Sequence, residues 1–502
     1  MIDGGIFLGI DPTSGIGSDV GGVLARMDRF GVAQALATSF RGIYFDAREG
    51  NAETSGLCAQ SGDRLLPVAT VNMLGYDAGA DTLERIKADR FLAVALFPGF
   101  QNWSWSDYAA SKFAAQAAAH GLPIQAGVWN RSDLAAVARN IAPAGGAVLV
   151  RWMRGSGYNN IPDMIAVALD YPNVVFDIST VTQSGGIEHL VERIGAERLY
   201  LASGLPLVLE GAPYFMLEAA RLPDQSRRSI KTETLTRILN LAPTAQETEI
   251  PAQWERLRRA PKIDTHWHTS GWNIIEPRTS PGAIAADFDA FNYQVAISSS
   301  IRALNHDITE GNAETKAFVD TESRARGLVV VNPLDIETSI SEIEKYRDDD
   351  RFVGIKTIQD FYGKELSDPA YLAIFEVVAR MQDWPVMAHM PGMRQAAERF
   401  PSLHFIAAHS TWRYAEFAGL DNVWFDIATS TALRQEANLA DLVASVGEER
   451  VVFSCDGQLM NPAWTLGKLA SSGLPDRTLQ RILGENAFAA FPRLRRTTEP
   501  LH

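Results

Sequence analysis

"EGNAET" stands at residues 49–54 and again at residues 310–315 of this 502-residue chain. The match continues outward at the same offset of 261 residues, where ALATSFRGIYFDAR aligns with AISSSIRALNHDIT. Further along, NVVFDIST aligns with NVWFDIAT, and TLTRIL aligns with TLQRIL. The repeated unit of about 240 residues has the size of a domain and not of a solenoid repeat. The chain is therefore interpreted as a tandem duplication.

Within each unit, short apolar runs rich in β-branched residues alternate with longer amphipathic patterns. In the second unit these runs include QVAISSS, GLVVVNP and FVGIKTI. Runs that are apolar throughout are typical of strands buried on both faces of a parallel sheet. Seven or eight βα units in about 240 residues match one (β/α)8 barrel. The sequence predicts an α/β fold with two tandem (β/α)8 TIM-like barrels.

The domain boundaries follow from the repeat and from composition. The first barrel is predicted over residues 1–241 and the second over residues 262–492, with a tail at 493–502. The segment between the barrels, residues 242–261, is polar and contains proline, which favours a linker.

Composition narrows the classes of partner. The net charge of −14 and the pI of about 5.2 disfavour binding to nucleic acid or to an anionic membrane surface. Two cysteines make no disulfide framework, and neither a signal peptide nor an apolar membrane span is recognisable. We expect a cytoplasmic protein whose partner is a small molecule.

Metal-binding residue types follow several strands of the second unit. IDTHWH places His266 and His268 two residues apart, so that both imidazoles face the same side of a strand. PVMAHM supplies His389, FIAAHS supplies His409, and VVFSCD supplies Asp456. Buried core histidines and a helix-capping aspartate would explain one such residue, but not five at strand ends. Since these ends converge in a barrel, the pattern predicts a divalent metal site of the zinc type.

This order of motifs resembles the amidohydrolase superfamily and, within it, the amidohydrolase-2 family of hydrolases and decarboxylases. The resemblance spans the second unit, up to the terminal ILGENAFAAF. It implies that His266, His268, His389 and Asp456 bind one divalent metal ion, with zinc expected, and that His409 acts as an acid, a base or an orienting group. Family members are commonly dimers, so the duplication is interpreted as supplying within one chain the neighbour that the active barrel needs, and a homo-oligomer stays open. The family usually has Gly-Ser-Asp where this chain has Ser-Cys-Asp, and we interpret Cys455 as a packing residue.

Three further residues are candidates for substrate binding. Lys356 ends the strand FVGIK. In binuclear superfamily members a carboxylated lysine on the fourth strand bridges two metals, but in the amidohydrolase-2 branch it usually does not. We therefore predict a mononuclear site, with Lys356 binding a substrate anion or pairing with an acid. Arg302 and His306 follow the strand QVAISSS, and Arg413 follows the strand FIAAHS. Arg302 aligns with Arg41 of the first unit, so a structural role for Arg302 is equally open.

The first unit lacks every proposed ligand. Gly5 and Phe7 replace the His266 and His268 pair, and the positions of His389, Asp456 and Lys356 hold Gly127, Gly204 and Ala95. The strings that both units share are assigned to the scaffold, and Asn51 and Asn312 are predicted to tie loops or helix starts through side-chain hydrogen bonds. The first barrel is expected to be catalytically inactive and to serve stability.

The leading functional hypothesis is a metal-dependent hydrolase that cleaves a C–N or C–O bond in an amide, cyclic amide or lactone. A divalent ion lowers the pKa of bound water, Asp456 takes its proton, and His409 stabilises the oxyanion or protonates the leaving group. The alternative hypotheses are a metal-dependent non-oxidative decarboxylase of a small unsaturated or aromatic carboxylate and a non-catalytic binding protein.

Overall fold

The computed structural model describes residues 1–76, 81–153, 160–207, 211–242, 252–272, 281–409, 414–417, 419–428 and 439–499. These residues form two compact units, one before residue 253 and one from residue 253 onward. No described helix is long and apolar enough to cross a membrane.

The first unit is built on a nine-stranded sheet in the order β2-β1-β3-β4-β5-β6-β7-β8-β9. Its strands are β1 (Ile2–Ile10), β2 (Gly17–Ser18), β3 (Gln34–Ser39), β4 (Leu65–Thr70), β5 (Ala93–Leu96), β6 (Ile124–Val128), β7 (Val148–Trp152), β8 (Val174–Asp177) and β9 (Leu199–Tyr200). All of these pairs are parallel except β1 with β2, which is antiparallel. The amide of Gly4 donates to the carbonyl of Leu201 at 2.7 Å, which joins β1 to the residue after β9.

The second unit is built on an eight-stranded parallel sheet in sequence order. Its strands are β10 (Lys262–Thr269), β11 (Tyr293–Ser300), β12 (Ala325–Val330), β13 (Phe352–Lys356), β14 (Val386–Ala388), β15 (Phe405–Ala407), β16 (Val423–Asp426) and β17 (Val451–Val452). The amide of Thr265 donates to the carbonyl of Phe453 at 3.0 Å and joins the first strand to the end of the last. The predicted fold of two TIM-like barrels is confirmed.

Helices connect the strands of both barrels. In the first unit they are α1 (Val20–Arg29), α2 (Phe40–Tyr44), α3 (Ala47–Ala59), α4 (Asp81–Ala88), α5 (Pro98–Gln101), α6 (Tyr108–Ala119), α7 (Arg131–Asn140), α8 (Ile161–Asp170), α9 (Gly186–Ile194), α10 (Gly211–Ala219), α11 (Asp224–Arg228) and α12 (Thr234–Leu239). The next helices along the chain are α13 (Ala252–Arg259), α14 (Pro281–Ala290), α15 (Ile301–Asn305), α16 (Ile308–Thr321), α17 (Ile336–Tyr346), α18 (Gln359–Tyr362), α19 (Pro369–Ala379), α20 (Met393–Arg399), α21 (Leu439–Val446), α22 (Pro462–Ser471), α23 (Asp476–Gln480) and α24 (Ala487–Ala490).

Part of the predicted linker is helical. Residues 243–251 lie outside the described residues, but α13 follows them, and its Trp254 and Leu257 are buried. Trp254 packs edge-on against Phe291 of the second unit. Part of the predicted tail also packs on this unit, since Leu494 is buried and Arg326 donates to the carbonyl of Thr497 at 2.8 Å.

The interior of the second barrel is apolar below its carboxyl-end rim. Ile263, Ile297, Val353 and Ile406 belong to one buried cluster there. Three residues beyond Ile263, Val353 and Ile406, toward the carboxyl ends of the strands, stand His266, Lys356 and His409. The apolar layer supports those groups from beneath.

Asn312 of the second EGNAET string binds the end of a neighbouring strand. Its side-chain amide donates to the carbonyl of Val330 at 3.1 Å, and its Oδ1 accepts from the amide of Val330 at 2.8 Å. Asn51 makes the same pair of bonds with Thr70, at 3.0 and 2.7 Å. Each asparagine therefore completes the backbone bonds of a strand end and does not cap a helix start.

The other letters of the string fix the same helix against the preceding strand. Thr315 accepts from the amide of Ser300 at 3.1 Å, and Glu314 accepts from the Ser300 hydroxyl at 2.7 Å. The corresponding bonds join Thr54 and Glu53 to Ser39. Both copies of EGNAET are thus one scaffold device that holds α3 or α16 in place.

We predict that Asn312→Ala lowers the free energy of unfolding by about 2–4 kcal/mol, because it leaves the buried N–H and C=O of Val330 without partners. Chemical denaturation of the full chain measures this loss. Asn51→Ala should cost a similar amount, whereas the exposed Thr309→Ala, also in α16, should change stability by less than about 0.5 kcal/mol. A loss no larger than that of Thr309→Ala would remove the role assigned to Asn312.

Candidate metal centre

The predicted ligands lie at the carboxyl ends of four strands of the second barrel. His266 and His268 belong to β10, and His389 directly follows β14. His409 lies two residues beyond β15, and Asp456 lies four residues beyond β17. The parallel order of the strands brings all these ends to one rim of the barrel.

The five side chains form one cluster. Asp456 Oδ1 is 3.1 Å from His268 Nε2 and 3.5 Å from His266 Nε2. The ring of His409 lies 5.0 Å from that of His266 and 5.3 Å from that of His389, between centroids. Ligand atoms of His266, His409 and Asp456 lie within 4.8 Å of one another, so these three residues form a possible His/His/Asp metal site. This group contains His409, which the resemblance implied as an acid, base or orienting group, and it does not contain the predicted ligands His268 and His389.

Each of the four imidazoles is held through its Nδ1 atom. The partners are carboxylates for two rings and backbone carbonyls for the other two. The distances are 2.6 Å from His266 to Asp426, 2.5 Å from His389 to Asp360, 3.2 Å from His268 to the carbonyl of Ser299, and 3.0 Å from His409 to the carbonyl of Ala428. Ionised carboxylates and carbonyls only accept hydrogen bonds. These contacts favour a proton on Nδ1 and leave a lone pair on Nε2, as in metal-binding histidines.

The arrangement of acceptors fits a bound cation. With its proton on Nδ1, His268 points the Nε2 lone pair at Asp456 Oδ1, 3.1 Å away. The Ser299 hydroxyl lies 3.3 Å from Nδ1 as a further contact of this ring. Two acceptors at this separation repel each other unless a cation lies beside them. A divalent metal ion with imidazole and carboxylate ligands satisfies both groups.

Burial and neighbouring charges set the ionisation of the cluster. Burial raises the pKa of Asp456, but His266, His268 and His409 outweigh burial and hold this pKa well below its usual range. Burial lowers the pKa of His409 to about 4. At neutral pH the cluster therefore holds an ionised carboxylate and a neutral His409.

Lys356 lies inside this cluster. Its Nζ is 2.8 Å from His266 Nε2, and burial lowers the pKa of its ammonium group to about 8. One lone pair cannot serve an ammonium group and a metal ion together, so metal binding by His266 displaces this hydrogen bond. The binding of a substrate anion by Lys356 stays a prediction.

Cys455 contacts the framework behind the cluster. Its thiol donates to Asp264 Oδ2 at 2.7 Å, and burial raises its pKa well above the ordinary value. The thiolate is the reactive form of cysteine. These observations support the interpretation of Cys455 as a packing residue.

Two members of the cluster have unusual backbone conformations. His409 has a φ of 56° and Asp456 has a φ of 60°, both in the left-handed region. Gly204, the counterpart of Asp456 in the first barrel, has a φ of 74°. Glycine adopts this region without the steric cost that other residues incur. The second barrel therefore keeps non-glycine side chains at two strained positions, which is typical of functional sites.

Arg302 lies in α15 and His306 directly follows this helix, just after β11. Arg302 pairs with Glu310 and Glu314 at 3.1 and 3.7 Å, much as Arg41 pairs with two glutamates of the first barrel. Both residues line a groove of about 940 Å³ together with Thr269, Trp272 and Phe318. Thr269 follows His268 in the chain, but none of the described residues that line this groove belongs to the cluster. Arg413 lies outside the described residues, and the substrate-binding roles stay predictions.

The sequence interpretation missed Asp426 and Asp360. Asp426 ends β16, and burial raises its pKa, but His266 outweighs burial and lowers it to about 2. Asp426 belongs to the FDI string, which occurs in both units and was therefore assigned to the scaffold. Its position at a strand end was the available signal. Asp360 lies in α18, and its sequence context carries no comparable signal.

Comparison with known proteins agrees with this architecture. A family model described as amidohydrolase matches residues 16–245 and again residues 263–493. The chain therefore belongs to the amidohydrolase-2 family, with two copies of its domain in tandem. A search of the curated proteins found no match.

Three solved structures of similar fold each align with nearly half of the chain. A 2,6-dihydroxybenzoate decarboxylase from Rhizobium is 13% identical and aligns with 47% of this chain and 99% of its own, with a TM-score of 0.37. A 5-carboxyvanillate decarboxylase from Novosphingobium aromaticivorans, solved with manganese, is 15% identical and aligns with 46% of this chain and 96% of its own, with a TM-score of 0.37. An uncharacterised TIM-barrel protein from Bordetella bronchiseptica is 11% identical and aligns with 46% of this chain and 99% of its own, with a TM-score of 0.38.

We predict that the purified protein binds one divalent metal ion per chain and that His266→Ala/His268→Ala abolishes this binding. The double change removes two imidazole ligands, and elemental analysis measures the result. His120→Ala/His189→Ala removes two histidines from the first barrel and should leave the metal content unchanged. Two ions per chain together with a carboxylated Lys356 would show that the site is binuclear.

Asp426→Asn should weaken metal binding by about 10- to 100-fold, because a neutral amide holds the His266 ring less firmly than a carboxylate does. Competition with a chromophoric chelator measures the affinity. Asp421→Asn makes the same chemical change at an exposed position just before β16 and should have no effect. An unchanged affinity in Asp426→Asn would mean that Asp426 serves only the scaffold.

Proposed function

We propose that the second barrel is a metal-dependent hydrolase that cleaves a C–N or C–O bond in a small amide, cyclic amide or lactone. The observation that supports this most directly is the convergence of four imidazoles and Asp456 at one rim, with each Nδ1 occupied by an acceptor. His266, His268, His389 and Asp456 would hold one divalent cation. The donor set of three imidazoles and a carboxylate favours zinc.

A divalent cation bound there would supply Lewis acidity toward a water molecule and the substrate carbonyl. The protein supplies the groups that move the proton. Asp456 is an ionised carboxylate within the cluster and can accept a proton from the attacking water. The oxygen of that water then forms a bond to the acyl carbon.

His409 is placed to complete the reaction. Its Nδ1 is committed to the carbonyl of Ala428, so its Nε2 can accept a proton and return it. The C–N or C–O bond breaks as the leaving atom takes up the proton that came from water. The product acid and the product amine or alcohol together contain the atoms of the substrate and one water.

The remaining polar groups suit substrate binding. Lys356 provides a buried positive charge in the cluster, which would attract a substrate anion or a developing oxyanion. Arg302 and His306 are the other candidates for substrate contact, and they line a groove together with Thr269, the residue after His268.

A substrate panel tests the proposed reaction. Metal-loaded enzyme should release acid from a lactone or cyclic amide, and enzyme stripped of metal should not. Release of carbon dioxide from an aromatic carboxylate, with no activity on acyl substrates, would replace the hydrolase with a decarboxylase. Ligand binding without turnover would favour a binding protein.

Asp456→Asn should lower kcat by at least about 10²-fold, because the neutral amide cannot accept the proton from water. Steady-state kinetics measures the loss, with circular dichroism and metal analysis as checks on the fold and on occupancy. Asp441→Asn, at an exposed position of α21, should retain full activity. A metal-loaded Asp456→Asn variant that turns over at the parent rate would assign the base to another group, with His409 the first candidate.

A further inference from the structure

Arg151 is a buried cation at the rim of the first barrel. It lies in β7 and only 2% of its surface is exposed. The pairing of β6, β7 and β8 gives it the same place as Ala408, the residue before His409 in the second barrel. The rim that lacks every proposed ligand therefore still carries a positive charge.

The guanidinium group of Arg151 fills space beside β1. Its Nη2 donates to the carbonyl of Gly5 at 2.9 Å, and its Cζ lies 4.3 Å from the centre of the Phe7 ring. Gly5 aligns with His266 and Phe7 aligns with His268. A Cβ atom at Gly5 would lie 2.7 Å from both Cζ and Nη1 of Arg151. Arg151 thus occupies the space that a histidine at position 5 would need.

A second lost ligand position is also filled. Gly127 aligns with His389, and a Cβ atom there would lie 2.8 Å from the Phe97 ring and 3.3 Å from Met153. Phe97 in turn packs against Phe7 with ring centroids 6.0 Å apart. The space of the absent ligands has therefore been taken by one cation and by apolar side chains.

Two buried aspartates favour the charged form of Arg151. Asp3 and Asp177 align with Asp264 and Asp426 and are both inaccessible to solvent. Asp177 accepts from Ser179 N, Ser179 Oγ and Ala202 N at 2.6–2.9 Å, and Asp3 accepts from Gly5 N and Ser203 N at 2.9 Å. Backbone and side-chain donors thus hold both carboxylates, and they act on Arg151 through their charge.

The pKa values show that the charges depend on one another. Burial lowers the pKa of Arg151, while Asp177, Asp3 and Tyr200 favour its charged form. Burial raises the pKa of Asp177 to about 7, and this rise is opposed first by the hydrogen bonds from Ser179 and Ala202 and then by the charge of Arg151. Burial also raises the pKa of Tyr200 well above its ordinary value, so Tyr200 is neutral and Asp177 and Asp3 are the acidic groups whose charge favours charged Arg151. Burial raises the pKa of Asp3 as well.

We propose that Arg151 is the resident cation of the first barrel. It supplies, from the chain itself, the positive charge that offsets Asp3 and Asp177 at a rim whose metal ligands are absent, and so makes this barrel independent of metal. This inference concerns only the first barrel, and it does not depend on the reaction proposed for the second.

Unfolding of the full chain at two pH values tests the proposal. The pKa of Asp177 is higher in the folded than in the unfolded state, so its ionisation lowers stability as pH rises from the unfolded value through about 7. Arg151 reduces that cost. Arg151→Met should therefore lower the melting temperature of the first barrel by up to about 5 °C more at pH 8 than at pH 5.5, where Asp177 is protonated.

Calorimetry measures the melting temperatures at the two pH values, and two further variants serve as controls. Arg139→Met, the same change at an exposed position of α7, should have little effect at either pH. Arg151→Met/Asp177→Asn should recover most of the loss, and it should fold even if Arg151→Met does not. Metal content per chain should be unchanged in both Arg151 variants. An equal loss at both pH values, or no recovery in the double variant, would overturn the proposal and leave Arg151 a packing residue.

Discussion

The orientation of four imidazole rings determines what the second barrel can do. Each ring is fixed from behind, through Nδ1, by an acceptor that belongs to the framework of strands and helices. An imidazole has only two nitrogens, so the use of one for positioning leaves the other to face the cluster. Two of the acceptors are backbone carbonyls, which do not titrate and therefore accept a hydrogen bond at any pH. The strand framework thus sets both the direction and the proton position of the rings.

Barrel closure is separate from this chemistry. Asp264 Oδ1 accepts from the amides of His266 and Cys455 at 2.9 and 3.3 Å and so links the first strand to the residues after the last. Asp3 makes the equivalent link in the first barrel, between Gly5 and Ser203. The same link is present with and without the histidines. A barrel of this family can therefore lose its proposed ligands and keep its closure.

The internal repeat made the fold and much of the site predictable from sequence. Two copies on one scaffold separate shared strings from unshared ones, and the unshared polar residues at strand ends gave His266, His268, His389, His409 and Asp456. The comparison of the two units did not reveal Asp426, because the first unit also has an aspartate, Asp177, at this position, although that unit has Gly5 in place of His266. Asp360 was not predictable, since its contact with His389 depends on how α18 is placed. Arg151 escaped notice because its counterpart in the second barrel is Ala408, which is not one of the proposed ligands.

The close contact of Arg151 with Gly5 limits the mutational routes open to the first barrel. A histidine cannot return at position 5 while the guanidinium group occupies that volume, and the removal of Arg151 first would leave two buried carboxylates without a counter-charge. Either single step passes through a less stable protein. The two positions are therefore epistatic. With Arg151 in place, a histidine at position 5 cannot be regained by one substitution at a time without passing through a less stable protein.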